Sequence, residues 1–362
     1  MYCTFQKYTL HFKFPAGTSR GVLRHKDSLF IKVSQAYQTK LYGIGECAPL
    51  KGLSLDDRDD LEEILKKICT KLSGSKWEPK SEEEIFQWVQ ENIDKNLPSV
   101  RFGMETALLD AYYYGKRKIL SNPWSEAPHQ PISINGLAWM GDKAWMLEQV
   151  RKKLEEGFSC IKIKIGAIDF EQEMKLLAYI RDHYAADQIT IRVDANGAFT
   201  ARDVYQKLER LSNYDVHSIE QPIAVGQHQF MRELCAQSPV AIALDEELIG
   251  VLDMKDKVEL LEKIKPSYII IKPTLLGGIA ASRDWIRLAE ERNIGWWITS
   301  ALESNIGLNA IAQYTATYDL KIPQGLGTGQ LYHNNFSSPL KIDSGHLYHD
   351  TGVAWDLNLF QE

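Results

Sequence analysis

Ile161-Lys162-Ile163-Lys164-Ile165-Gly166 alternates apolar and cationic side chains with a period of two. In an extended segment that puts both ammonium groups on one face and the isoleucines on the other. Ile191-Arg192-Val193-Asp194 repeats the pattern with Arg192 and Asp194 on one face. His217-Ser218-Ile219-Glu220 and Ile242-Ala243-Leu244-Asp245 end in carboxylates, and Tyr268-Ile269-Ile270-Ile271-Lys272 ends in a lysine before Pro273. Together with runs ending near Trp139, Thr299 and Leu326, β-type segments recur about every 27 residues without any repeat of residue identity, so the period belongs to the architecture.

Helical patterns fill the intervals. Asp142 precedes a stripe of Leu147, Val150 and Leu154 closed by Gly157; Asp169-Phe-Glu-Gln172 resembles a capping box; Thr200 opens a stripe of Val204, Leu208 and Leu211. Strand plus helix, about eight times, predicts an α/β fold, a TIM-like barrel of (β/α)7β type over residues 126–330. Residues 1–125 predict an α+β capping domain: a meander at 2–14, 29–37 and 41–47, then helices at 54–72, 81–94 and 101–114. Asn122-Pro123 and Pro128 through Pro131 predict a linker. Residues 331–362, with short alternating pieces at 340–343, 347–348 and 353–355, are expected to pack back on the capping domain and complete it.

With 362 residues, 44% hydrophobic and 25% charged, the chain is long enough to bury a core without disulfides. A net charge of −6 and the lack of any basic block speak against nucleic-acid binding, and no apolar run approaches the length of a membrane span. Residues 1–14 alternate and carry Lys7, His11 and Lys13, unlike a signal peptide. The five cysteines are scattered, with no CxxC, which suits free thiols and a cytoplasmic location. The sequence sets no oligomeric state.

Taken singly, each charged strand end has a bland reading. Lys162 and Lys164 could mark an exposed amphipathic strand, Asp194 before Ala-Asn-Gly a turn, and Glu220 a surface residue at a strand end. The barrel removes these readings as a set, because its strands are covered by helices outside and packed inside. Ile161, Ile163 and Ile165 take the helix-covered face, so Lys162 and Lys164 turn inward. Unpaired buried charges are very costly, so charges delivered by five successive strands must meet one another or a ligand. Active sites of such barrels gather at the strands' C-terminal ends. Asp194, Glu220 and Asp245 would form an all-oxygen site suited to Mg2+, or to Mn2+ in its place, and not to zinc. None of the nine histidines falls at these ends; parity points His217 away. A lysine whose neutral amine is favoured by a neighbouring ammonium can serve as a general base. Beside a carboxylate-binding metal, it would remove the proton next to a substrate carboxylate.

Lys-x-Lys, Asp, Glu, Asp and Lys on successive strands resemble the enolase superfamily in its muconate-lactonizing subgroup. Gly43-Ile-Gly-Glu-Cys-Ala-Pro-Leu50 and Arg101-Phe-Gly-Met-Glu-Thr-Ala-Leu-Leu-Asp-Ala111 are similar to that subgroup's capping motifs. The stretches 133–141, 299–313 and 325–332 resemble its branch that dehydrates a succinyl-substituted hydroxycyclohexadiene-carboxylate to an aromatic acid. The resemblance implies a lyase with a Lys base and Mg2+. Lys164 would be the base and proton donor, Lys162 would tune it, Asp194, Glu220 and Asp245 would bind Mg2+, and Lys272 would stabilise the enolate across the ring. Relatives with the same six residues racemise N-succinyl amino acids or epimerise dipeptides, so these remain alternatives. A Schiff-base barrel would not need the three acids, and a catalytically silent scaffold would have lost some of the six.

Other features are weaker. Gly325-Leu-Gly-Thr-Gly329 reads as a tight turn lining the pocket, and Gly277-Gly278 as a turn bringing backbone to the ligand. Ser300 is a candidate for a substrate carboxylate, and Arg192 either for substrate or for neutralising lower carboxylates. Loops around 15–21 and 48–55 are candidates for a lid, with Arg20 or Arg24 holding a succinyl carboxylate. The expected partner is a small-molecule carboxylate.

Overall fold

A computed structural model of the chain describes residues 1–18, 21–35, 41–126 and 130–360. An antiparallel meander comes first: β1 (Tyr2–Thr18) pairs with β2 (Gly21–Ser34), and β2 with β3 (Gly43–Cys47). The first two strands run beyond the expected segments and make a long hairpin, so residues 15–18 are strand where a loop was expected. Alternation breaks near Pro15, which hides this in the sequence; the ladder absorbs the break in a register shift between His11 and Ala16.

Helices Leu61–Ser73, Glu82–Asn92 and Pro98–Tyr112 follow. Ser81 caps the second as its type demands, accepting the Glu84 N–H at 3.2 Å. The first starts seven residues later than expected at 54. Asp56, in the turns before it, instead accepts the N–H and hydroxyl of Ser99 at 2.8 and 2.7 Å, tying this stretch to the third helix. That third helix is buried almost all round, because it lies between the meander and barrel helices. Strand and helix meet at backbone distance: a Cβ on Gly45 would run into the helix backbone at Gly103.

After the short β4 (Ile132–Ser133), the barrel strands are β5 (Gly136–Ala138), β6 (Cys160–Lys164), β7 (Thr190–Asp194), β8 (Val216–Glu220), β9 (Ala241–Leu244), β10 (Tyr268–Ile271) and β11 (Gly295–Ile298). β5 to β11 form one seven-stranded parallel sheet in sequence order, with helices between successive strands. Ile161, Ile163 and Ile165 are fully buried, while Lys162 and Lys164 face the interior of the ring. An eighth strand near Leu326 is reduced to bridges. Gln324 pairs with Ile134 and Gly325 with Thr299, and the Gln324 and Gly325 N–H groups donate to Ser133 and Ile298 at 2.8 Å each, which closes the ring.

Asp142 and Asp169 cap their helices, accepting N–H groups of Trp145 and Glu171, and Gly157 takes the left-handed φ of +78° that ends the helix Lys143–Glu155. The helix expected from Thr200 begins at Val204, since Thr200 makes a turn with the Asp203 carboxylate; Val204, Leu208 and Leu211 form the buried stripe. In the tail, β12 (Leu340–Asp343) and β13 (His346–His349) pair with each other, and β13 pairs with β4 at the entrance to the barrel. Leu331 and Tyr332 at the start of the tail pack with Leu10, Phe12 and Ala16 of β1, and Phe336, Leu357 and Phe360 join Phe30, Tyr42 and Ile44 in another cluster, while 353–355 form no strand. Of the described residues, no helix is long and apolar enough to cross a membrane.

Candidate active site

The ends of β6 to β10 converge. One carboxylate oxygen each from Asp194, Glu220 and Asp245 lies within 4.8 Å of the others, and all three residues are buried. Lys162 pairs with Asp194 at 2.9 Å and with Glu220; Lys164 meets the same Asp194 oxygen at 2.9 Å; Lys272 pairs with Asp245. Register explains the clustering: Lys164, Asp194 and Glu220 are direct neighbours across β6, β7 and β8.

Burial alone would strip the lysines of charge, but the carboxylates outweigh it. Lys162, facing Asp194, Glu220 and Asp245, and Lys272, facing Asp245 and Glu246, both have raised pKa values. Asp194 is likewise opposed by burial yet held well below the usual carboxylate range by Lys162, Lys164 and Lys272. Burial pushes Glu220 up to about 7, with Lys162 opposing and Asp194 and Asp245 adding to the rise. Its Oε1 is buried without a hydrogen-bond partner among the described residues. An orphaned carboxylate oxygen beside two more buried carboxylates, with no sulfur or imidazole in the set, fits a hard divalent cation.

A cavity of about 520 Å3 opens over this cluster, within the range of small-molecule sites. Lys162, Lys164, Asp194 and Lys272 line it, as do Ser300 and Gly325. Its other wall comes from the first 125 residues: Lys13 and Phe14 of the β1–β2 hairpin, and Leu50 and Leu53 after β3. Ser300 donates to Glu303 at 2.6 Å and lies 2.6 Å from the Thr328 hydroxyl, so its hydroxyl is already held in place. Arg20 lies outside the described residues; Arg24 is exposed on β2 and does not line the cavity.

Arg192 does not reach the cavity either. It is fully buried inside the barrel below Asp194, its guanidinium 4.1 Å from the Trp297 ring centroid and its Nη1 donating to the Pro323 carbonyl at 2.8 Å. His217 stays away from the acids, as expected, although pairing slips at its position between Ile191–Val216 and Arg192–Ser218. Its ring lies 5.1 Å from that of Tyr268, where burial and then Arg192 push its pKa down to about 4. Gly277-Gly278 is a turn, with φ of +105° and +95°, and the Glu105 carboxylate lies against Gly278. Gly325-to-Gly329 needs no left-handed residue: Gly325 is where a Cβ would collide with Thr299, and 328–330 form a short 3-10 helix.

The supporting residues were not singled out from sequence. Asn196 accepts from Lys164 at 3.0 Å and donates to Glu246 at 2.9 Å. Gln221 accepts from the N–H groups of Asp245 and Glu247 and donates to the Glu247 carboxylate, binding the end of β8 to the end of β9. Both take left-handed φ values, +44° and +39°, just past charged strand ends. Their place one or two positions past each strand's last charge was the available signal.

A family model described as enolase C-terminal domain-like matches residues 145–356. The chain belongs to the enolase superfamily, and within it is an enzyme of the carbon–oxygen lyase class. It is similar to the o-succinylbenzoate synthase of Desulfotalea psychrophila, 44% identical over 370 residues that cover 96% of this chain and 98% of the relative. The crystal structure of MenC from that organism matches with a TM-score of 0.83 and 40% identity, over 96% of this chain and 99% of that one. An L-amino acid-D/L-Glu epimerase of Francisella philomiragia is 27% identical over half of each chain.

Proposed function

We propose that the chain catalyses the Mg2+-dependent syn-dehydration of 2-succinyl-6-hydroxy-2,4-cyclohexadiene-1-carboxylate to o-succinylbenzoate, a step of menaquinone biosynthesis. The observation that carries this reading is the ring of charge itself: Lys162 and Lys164 on one flank of three buried acids, Lys272 on the other. The full-length similarity to the Desulfotalea psychrophila synthase supports the choice of substrate.

Asp194, Glu220 and Asp245 would hold the Mg2+, with Mn2+ able to substitute. When bound, the ion supplies positive charge to the substrate carboxylate as the neighbouring carbon loses its proton. Lys164, as a neutral amine, takes the proton from C1. The C–H electron pair moves into the ring, the C6–O bond breaks, and Lys164 returns the proton to the departing hydroxyl, which leaves as water. Lys162 keeps positive charge beside Lys164 and Asp194, and Lys272 offers its ammonium to the electron-rich ring. Burial of Lys162 and the three acids strengthens their mutual interactions relative to water. Ser300, whose one hydroxyl proton goes to Glu303, would shape the pocket wall without donating to a substrate carboxylate, and Arg192 would act only from beneath the site. For the succinyl carboxylate, Lys13 takes the role expected of Arg20 or Arg24, because it lines the cavity.

The test follows ultraviolet absorbance when the Mg2+-loaded protein meets this diene. A kcat/KM above ~10^4 M−1s−1, reduced about 10^2- to 10^4-fold in Lys164→Ala, is expected. No turnover would overturn the synthase reading. Lysines on both flanks also suit two-base racemisation, so N-succinyl amino acids and dipeptides belong in the same assay.

A further inference from the structure

We propose that Cys3 and Cys69 are a redox-modification site, closing to an intramolecular disulfide when the protein meets a small disulfide oxidant such as oxidised glutathione. Their sulfurs lie 3.2 Å apart in the folded chain, although the residues are 66 positions apart in sequence. Cys3 sits on β1 and Cys69 on the helix Leu61–Ser73, and both are buried. The contact is held by its surroundings. The Ser73 hydroxyl accepts the Cys3 N–H at 2.9 Å and donates to the Cys3 carbonyl at 3.4 Å. Further along the same strand, Lys7 reaches Glu62 of the same helix at 3.2 Å. Strand and helix are therefore pinned on both sides of the two thiols, and the sulfurs need to close by only about 1 Å to reach bonding distance.

The other thiols are placed differently. Cys47 lies 3.1 Å from the Ser99 hydroxyl, and among the described residues no second pair of cysteine sulfurs is in contact. Neither Cys3 nor Cys69 lines the cavity over the acids, so the site is independent of the proposed reaction.

The chemistry balances in two exchanges. One cysteine thiolate attacks oxidised glutathione, forming a mixed disulfide and releasing one glutathione thiolate. The second cysteine thiolate then attacks the protein sulfur of that mixed disulfide and releases the other. Two cysteine protons pass to solvent or to the released thiolates. Burial slows the first step, because attack requires a thiolate that the reagent can reach. β1 is an edge strand of the sheet, and local opening of an edge is cheaper than global unfolding. Once the mixed disulfide has formed, the 3.2 Å neighbour resolves it faster than any free thiol could.

The full-length, Mg2+-loaded protein is incubated in glutathione buffers from fully reduced to fully oxidised, with and without sub-denaturing urea to speed opening. Each sample is acid-quenched, unfolded, alkylated and weighed. Five cysteines take up label in the reduced sample. In the oxidised sample two fewer labels are expected, a parent mass lower by about 2 Da, and a Cys3–Cys69 peptide on digestion. The oxidised protein should also melt above the reduced one, because the link shortens the unfolded chain's freedom. Cys69→Ser should lose both the missing labels and the melting shift, and Cys235→Ser should keep them. Five labels at every ratio even in urea, stable glutathione adducts without ring closure, or a disulfide to another cysteine would each overturn the proposal.

Discussion

Asp194 joins both lysines of β6: its Oδ2 meets Lys162 and Lys164 at 2.9 Å each, and its Oδ1 accepts the Asn196 N–H at 3.1 Å. Asp194→Asn should leave the buried Lys162 ammonium and the partly buried Lys164 one under-compensated, at a cost of about 3 kcal/mol or more in urea unfolding of the metal-free protein. A destabilisation below about 1 kcal/mol would show that the lysines find other partners. Lys13→Met tests the cavity's outer wall. Loss of one charge-assisted hydrogen bond should raise KM about tenfold with kcat nearly unchanged; an equal fall in kcat would place Lys13 in the chemical step instead. The six charged residues were legible because strand parity fixes which side chains turn inward. Lys13 was not, since nothing local says that a hairpin from the first domain reaches the mouth of a barrel.

At the scale of elements, two buried glutamates act as joints between the first 125 residues and the barrel. Glu46 on β3 accepts from the Ser28 hydroxyl, the Ser304 N–H and hydroxyl, and the Gly307 N–H, at 2.6 to 3.0 Å, and so caps the helix Asn305–Thr315. Glu105 does the same for the helix Gly278–Glu290, accepting the Ile279 and Ala280 N–H groups. Gly278 is obligatory there, because a Cβ would strike the Glu105 carboxylate. The motifs around 43–50 and 101–111 were legible as signatures, but their physical use as joints was not, since their partners lie some 170 to 260 positions away. Glu46→Ala should cost about 3 kcal/mol or more, as several buried donors lose their acceptor. Burial raises the Glu105 carboxyl to about 8, with the helix N–H groups opposing. Its unfolded value is near 4.3, so between those values the folded state holds a proton that the unfolded state has lost. Stability should therefore fall as pH rises from about 4.3 to about 8, by up to ~1.4 kcal/mol per unit from this group. Glu105→Gln should flatten that slope in urea titrations at pH 5, 6.5 and 8. An unchanged slope would mean that Glu105 is ionised throughout.

For the whole molecule, acids on three strands couple cation binding to the integrity of the barrel. Mg2+ at a hundredfold excess over its dissociation constant should stabilise the fold by about 2.7 kcal/mol, read as a rise in melting temperature that EDTA reverses. Glu220→Gln should abolish that rise. If Mg2+ shifts the wild type and the variant equally, the acids are not its site.

The period of the barrel and the six charged residues at the strand ends were legible in the chain alone, because period-two alternation is a local property, and a barrel covered on both faces leaves those charges only one another or a ligand to meet. Tertiary contacts set the rest. They slipped the pairing at His217, sank Arg192 beneath the cavity, reduced the last strand to two bridges at Gln324 and Gly325, and sent β13, paired with β12, to β4. These outcomes depend on contacts between segments far apart in the chain. Ladder register, backbone approach at glycine and the closure of a ring are set by which surfaces meet, and a linear pattern carries no distance between them.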